Sequence, residues 1–176
     1  MVKLSQATRD LDRASLHDLL MEFYTLQISR AIPEVAEQLT PAMGTQDFWD
    51  GFDDYFPPNG AMVLAHTDTG ALIGMGMMRK MRPDAAEFKR MYVKPEGRGH
   101  GIGRRMIEMR ISAAREMGLK SIFADTLRAS TTMHAIYRDM GFREIPRYPE
   151  SHTALHFPVV ASDLIYFQLD LDSAAT

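Results

Sequence analysis

The 176-residue chain contains no cysteine. That excludes disulfides, thiolate metal sites and catalysis through a cysteine nucleophile. No apolar run approaches the roughly 20 residues of a membrane-spanning helix. Residues 1–12 are polar and lack the apolar core of a signal peptide, so a cytoplasmic location is expected. There is no excess of positive charge: the formal net charge of −3 gives no reason to expect a nucleic-acid partner. Internal repeats and low-complexity segments are missing too. What remains is a globular composition, 45% hydrophobic and 24% charged, at a length that suits one domain with a full core.

Hydrophobic periodicity orders the chain. Residues 15–30 read as an amphipathic helix through Leu16, Leu19, Leu20, Phe23, Leu26 and Ile28, with Ser15 as its cap. A second helical piece over 33–40 should stop by Pro41, and 45–56 suits a short helix. Pro57-Pro58-Asn59-Gly60 is a break. Three strands follow: 61–66, 72–79 and 87–93, the first two joined by a hairpin turn at Asp68-Thr69-Gly70. A helix over 102–117 ends at Gly118. Then come a strand at 121–127, a helix from Ser130 or Thr131 to Met140 ended by Gly141, a strand at 142–148, a loop at 149–162 and a last strand at 163–171. The tail 172–176 is expected to fray. This order, helices, a meander, then β-α-β-α-β-β, predicts an α+β chain: a mixed sheet with helices on both faces.

The stretch joining the third strand to the long helix carries the chemistry. It runs Met91-Tyr92-Val93-Lys94-Pro95-Glu96-Gly97-Arg98-Gly99-His100-Gly101-Ile102-Gly103-Arg104. Alternating glycines let a ligand approach the main chain, and the helix behind them offers unpaired N–H groups and a positive dipole end. Together these make an anion site suited to a pyrophosphate, with Arg98 and Arg104 at its edges. A P-loop is excluded, because Gly103 is followed by Arg104-Arg105. The dinucleotide fingerprint fails as well: its last glycine would fall on Ile102 or Arg104.

Arg98-Gly99-His100-Gly101-Ile102-Gly103 fits the pattern Arg/Gln-x-x-Gly-x-Gly. It resembles the acetyl-CoA loop of the Gcn5-related N-acetyltransferases, the GNAT superfamily. Downstream, Ala135-Ile136-Tyr137-Arg138-Asp139-Met140-Gly141-Phe142 is similar to that family's tyrosine helix and following strand. The resemblance covers roughly residues 60–148. It implies a single GNAT-type domain over 1–176: acceptor-side helices at about 15–56, an acetyl-CoA core at about 60–148, and a C-terminal loop and strand at 149–171. It also implies a mostly antiparallel sheet in which the strand before the loop splays from its neighbour to admit the pantetheine arm. The main chain of Met91, Tyr92 and Val93 would pair with pantetheine. The loop from Arg98 through Gly99, His100, Gly101, Ile102 and Gly103 to Arg104 would cradle the pyrophosphate, and Ser130 would contact the donor or cap its helix. Acetyl-CoA is thus the implied acyl donor, and the family chemistry needs no metal.

Tyr137 is the candidate general acid. A phenol, with an ordinary pKa of about 10, can protonate the departing thiolate. Glu87 is the candidate base, since an amine with a pKa near 10.4 must lose a proton before it attacks. Strand alternation places Glu87, Lys89, Met91 and Val93 on one face. Lys89 could instead bind Glu87 as an inert salt bridge. Asp125 is the alternative base, at the spacing from the tyrosine seen in related peptide N-terminal acetyltransferases. His152 and His156, four apart, could form a metal pair on a helix, but Pro149 and Pro158 favour a loop, and no metal is expected.

The acceptor is less legible. Glu34, Glu37, Asp47, Asp50, Asp53 and Asp54 could form an acidic rim for a cationic amine, or a solvated face. Arg143 and Arg147 could hold an acidic acceptor instead. Phe48, Trp49, Phe52, Tyr55 and Phe56 are either core or an apolar pocket. Met75, Met77, Met78 and Met91 could shape room for longer acyl chains. The resulting expectation is direct acetyl transfer to a small primary amine. The alternatives are a protein or peptide amine, or a non-catalytic acyl-CoA-binding domain of the same fold. A homodimer is compatible with the sequence and not signalled by it.

Overall fold

The computed structural model describes residues 2–171; the expected frayed tail, 172–176, lies outside the described residues. The chain begins with a strand that its hydrophobic pattern does not announce. β1 (Val2–Gln6) pairs antiparallel with β2 (Gly60–Thr67) at one sheet edge. The apolar residues it packs inward, Val2 and Leu4, are too few to show a period.

α1 (Arg13–Arg30) is capped by Asp12, not Ser15. The Asp12 carboxylate accepts from the N–H groups of Ala14 and Ser15, at 3.0 and 3.1 Å, so Ser15 lies inside the first turn. α2 (Pro33–Ala36) is a single turn, and α3 (Pro41–Asp50) is followed by a 3-10 turn, Phe52–Tyr55. Pro41 therefore starts a helix rather than stopping one. At the first helical position its missing N–H costs nothing, and Thr40 caps the end.

The centre of the fold follows the expected order. β3 (Leu72–Arg82) pairs antiparallel with β2 and with β4 (Ala85–Val93). α4 (Ile102–Glu116) ends before Gly118, whose φ of 71° suits only glycine comfortably. β5 (Ser121–Leu127) lies parallel to β4, and α5 (Thr131–Asp139) ends before Gly141. β6 is only Arg143–Ile145, because Pro146 has no N–H to extend the ladder. The expected loop at 149–162 holds α6 (His152–His156), capped by Ser151, and a 3-10 turn, Pro158–Asp163. β7 (Leu164–Asp170) closes a seven-stranded sheet in the order β1-β2-β3-β4-β5-β7-β6.

Helices cover both faces. α4 and α5 pack Ile107, Ile111 and Tyr137 against Phe88, Ile122 and Phe167. On the other face α1 and α3 pack Leu16, Leu19, Leu20 and Phe48 against Met62, Met75, Met77 and Tyr92. Each such buried side chain contributes about 1.5–3 kcal/mol of transfer free energy, so the two faces fix the sheet between them. Among the described residues no helix is long and apolar enough to cross a membrane.

Candidate active site

The site begins where β4 leaves its neighbours. β4 and β5 are paired from Ala85–Ser121 to Phe88–Ala124, and no further. On the other side, Met77 faces Lys89 but Met75 faces Tyr92, so β4 carries one extra residue opposite Gly76. This is a β-bulge, and Arg90 takes it up with a φ of 47°. A non-glycine residue there needs outside support. The guanidinium supplies it, donating to the hydroxyls of Tyr24 (2.7 Å) and Tyr55 and pairing with Asp47 at 2.6 Å. Burial opposes its charge, but the two phenols and the carboxylate more than offset that, and its pKa lies above the ordinary range.

The bulge corrects the expected alternation. Glu87, Lys89 and Arg90 all reach partners on α1, α3 or α6. Met91 and Val93 turn to the opposite face, beside Ile102 and Met106 of α4. Glu87 therefore does not share a face with Met91.

Beyond β4 the glycine loop runs into α4. Gly99 and Gly101 have φ of 82° and 70°, and a Cβ at either would meet nothing within 4 Å. Their role is backbone conformation alone. Gly101 is the N-cap of α4 and no side chain caps that end, so the first amides, from Ile102 onward, stay available. Gly97 differs, since a Cβ would lie 2.9 Å from Val93. Arg98 bonds the Val93 carbonyl at 2.9 Å and lies over the Tyr92 ring; the His100 ring bonds the Arg98 carbonyl. Arg104 pairs with Glu108 and Asp139, so much of its charge is already balanced.

A cavity of about 840 Å³ runs from this loop between the parted strands. It is lined by Met91, Tyr92, Val93, Gly99 and Gly101 to Arg104 at one end, and by Ser130 and Tyr137 midway. Ser130 sits at the N-cap of α5 but makes no cap bond. Tyr137 is 3% exposed, and its hydroxyl makes no hydrogen bond among the described residues. Burial pushes its pKa up to about 12, partly offset by Arg110.

The cavity continues to Lys89, Asp125, His152 and Thr153. The Lys89 ammonium lies 3.8 Å from Asp125 and 4.0 Å from Glu87. Asp125 accepts from Ser151 and Thr153, each at 2.9 Å. Glu87 accepts from the Tyr148 hydroxyl at 2.6 Å and the His152 N–H at 3.1 Å. Burial pushes the Glu87 carboxyl above its usual range, Lys89 pulls it back, and Asp125 adds to the rise. Asp125 lines the cavity; Glu87 lies behind it, 1% exposed. The clamp formed by Tyr148, Ser151 and Thr153 has no sequence signal, because it depends on α6 folding back on β4 and β5.

The expected acidic rim dissolves into separate pairs. Asp47 serves Arg90 and His156, Asp53 serves Arg9, and Asp54 serves Arg79; of the six acids only Asp47 lines the cavity. Phe48, Phe52, Tyr55 and Phe56 are core. Arg143 is tied to Asp170 on the sheet. Met75, Met77 and Met78 are fully buried, and only Met91 of the four methionines reaches the cavity.

A family model for the GNAT acetyltransferases matches residues 14–142. An uncharacterised N-acetyltransferase of Schizosaccharomyces pombe is 28% identical over 118 residues, 66% of this chain and 68% of that protein. Among solved structures, a GNAT-family acetyltransferase of Staphylococcus aureus superposes with a TM-score of 0.75 at 21% identity, covering 98% of this chain and all of that one. A phosphinothricin acetyltransferase of Sinorhizobium meliloti, in complex with acetyl-CoA, gives 0.69 at 20% identity over 99% and 91% of the two chains. The parted strands, the uncapped helix end and the family match agree: the chain belongs to the GNAT acetyltransferase family and is an N-acetyltransferase.

Proposed function

We propose that this enzyme moves an acetyl group directly from acetyl-CoA to the primary amine of a small molecule, acting as one domain in the cytoplasm. The observation that carries this reading is the single cavity joining the uncapped start of α4 to the Lys89–Asp125 pair. The amides after Gly101 hold the pyrophosphate, and the free edge of β4 from Met91 to Val93 pairs with the pantetheine arm. No metal enters this chemistry.

Tyr137 and the carboxylates divide the proton work. Asp125, with Glu87 behind it and Lys89 between them, takes the proton from the acceptor amine. The nitrogen then attacks the acetyl carbonyl and the carbon–sulfur bond breaks. Tyr137, protonated throughout the neutral range, gives its proton to the leaving thiolate. The far end of the cavity is walled by Leu26, Ala31, Val35, Leu39, Phe157 and Val160. That enclosure favours a small amine with an apolar body over a peptide. The phosphinothricin enzyme is a relative in fold whose acceptor is a small molecule.

A thermal-shift titration with acetyl-CoA, CoA, NAD and ATP tests the donor. A ligand at a hundred times its dissociation constant stabilises by about 2.7 kcal/mol. A shift with acetyl-CoA and CoA alone supports the loop assignment; a shift only with ATP or NAD overturns it. A panel of amines and peptides, read by released thiol, tests the acceptor. The cysteine-free chain adds no background, and transfer only to peptides would overturn the small-molecule reading.

A further inference from the structure

α6 stands where the prolines predict a loop, and it brings two imidazoles to one carboxylate. His152 and His156, one turn apart, meet Asp47 of α3. Nδ1 of His156 lies 2.6 Å from Asp47 Oδ1, and Nε2 of His152 lies 3.7 Å from the same oxygen. All three candidate ligand atoms fall within 4.8 Å of one another. We propose that Asp47, His152 and His156 form a binding site for a zinc-like divalent transition metal ion.

The geometry suits such an ion. Zinc ligands at about 2.1 Å in a tetrahedron stand about 3.4 Å apart, and the observed separations of 2.6 and 3.7 Å bracket that value. Small rotations of the side chains suffice.

Three further features match a ligand set. The His152 side chain is only 11% exposed, yet its ring nitrogens make no hydrogen bond among the described residues. Its Nε2 lies 3.7 Å from the Asp47 carboxylate, and its ring lies against that of His156, so the two imidazoles and the carboxylate already stand together. Asp47 Oδ2 is held by Arg90 at 2.6 Å, an outer contact that orients the carboxylate and leaves Oδ1 for the ion. The N-terminus of α6 is fixed as well, through the His152 N–H to Glu87 and the Ser151 cap. The cations nearby, Arg90, Lys89 and Arg79, oppose a dication and weaken its binding.

Asp47 and His152 line the main cavity, while Asp47 and His156 line a second, shallower depression. A bound ion would tie α3 to α6 beside the acceptor end of the cavity. None of the three ligands is assigned a proton role in the transfer, although the His152 N–H bonds Glu87.

Equilibrium dialysis of the full chain against zinc chloride, with bound metal measured by atomic emission, tests the proposal. One ion per chain is expected. His156→Ala and His152→Ala should each weaken binding by at least about tenfold, with melting temperatures showing that both variants fold. Bound Co²⁺ should show visible absorption in the native chain that both variants lose. His156 is half exposed, and His156→Gln repeats the test with least disturbance to the fold. No zinc bound at micromolar concentration, or unchanged affinity in any of these variants, overturns the site. Acetyl-CoA binding is measured separately, so neither result bears on the transferase reading.

Discussion

The guanidinium of Arg110 lies 4.0 Å from the centroid of the Phe88 ring, wholly buried and with no carboxylate partner among the described residues. It donates to the carbonyls of Met77 (2.9 Å) and Met106 (3.3 Å) and to the Met91 sulfur. Burial pulls its pKa down to about 10, with a small opposing effect from Tyr137. A folded pKa below the ordinary 12.5 means that the charged form costs stability throughout the neutral range. At about 1.36 kcal/mol for each pKa unit, the cost is about 3 kcal/mol. Arg110→Met, similar in length and apolar, should therefore match or exceed the native chain in urea unfolding, by up to about 3 kcal/mol. Arg110→Ala should fall below it by about 2 kcal/mol through the cavity it leaves. A Met variant that loses more than about 2 kcal/mol would show that the bonds to Met77 and Met106 outweigh the desolvation.

Tyr137 should act on turnover, not on donor binding. Its hydroxyl makes no hydrogen bond among the described residues, and burial holds its pKa up at about 12, so it stays protonated across the working range. Tyr137→Phe should lower kcat by about 100-fold, the lower range for a general acid, and leave the acetyl-CoA dissociation constant within about twofold. The loss should be the same at pH 6 and pH 9, because nothing on Tyr137 titrates between them. Turnover equal to that of the native chain at both pH values would remove Tyr137 from the mechanism.

Much of this site is legible in the sequence because its parts are local. The glycine loop, the start of α4 and Tyr137 on α5 depend on spacing within one segment. The same is true of the strands read at 121–127 and 61–66, whose apolar runs are bounded by turn residues. What stays hidden depends on contacts between distant segments. Arg90 is an ordinary residue in a strand pattern until Tyr24, Tyr55 and Asp47, from other elements, hold it at positive φ. Its bulge then reverses the face that alternation gives Met91. α6 is obscured by flanking prolines, although Ser151 three residues before Ala154 is a cap signal. Asp47, Asp53 and Asp54 resemble part of a rim only because their partners, Arg90, Arg9 and Arg79, lie far away in sequence.

Glu87 should make the stability depend on pH, because burial raises its carboxyl pKa while the Lys89 ammonium, 4.0 Å away, pulls it back. Glu87 has a folded pKa above its ordinary value, so its stabilising share is full below that ordinary value. It is lost as pH rises through the folded one. Lys89 is also raised, but its loss comes only above the ordinary lysine pKa. Between pH 5 and 8 the native chain should therefore lose stability relative to Glu87→Gln, whose amide does not titrate. Urea midpoints of both proteins at the two pH values give the comparison; parallel curves would sink it. In turnover, Asp125→Asn should lose about 100-fold and Glu87→Gln less, because Asp125 alone of the two lines the cavity. The reverse order would make Glu87 the base.

Gly101 allows the cost of its backbone to be separated from its function. A Cβ there meets nothing within 4 Å, so Gly101→Ala adds only the strain of a left-handed residue, about 1–2 kcal/mol. Gly70, in the hairpin between β2 and β3, has φ of 89° and equally open space, and it does not line the cavity. Gly70→Ala should thus cost about the same stability and leave acetyl-CoA binding unchanged. Gly101→Ala should in addition raise the acetyl-CoA dissociation constant about tenfold, a loss of about 1.4 kcal/mol, as the strained N-cap turns the first amides of α4 from the pyrophosphate. Calorimetric titration of both variants reads the difference directly. If both bind as the native chain does, the pyrophosphate is held elsewhere; if both weaken alike, the loss reflects stability and not the loop.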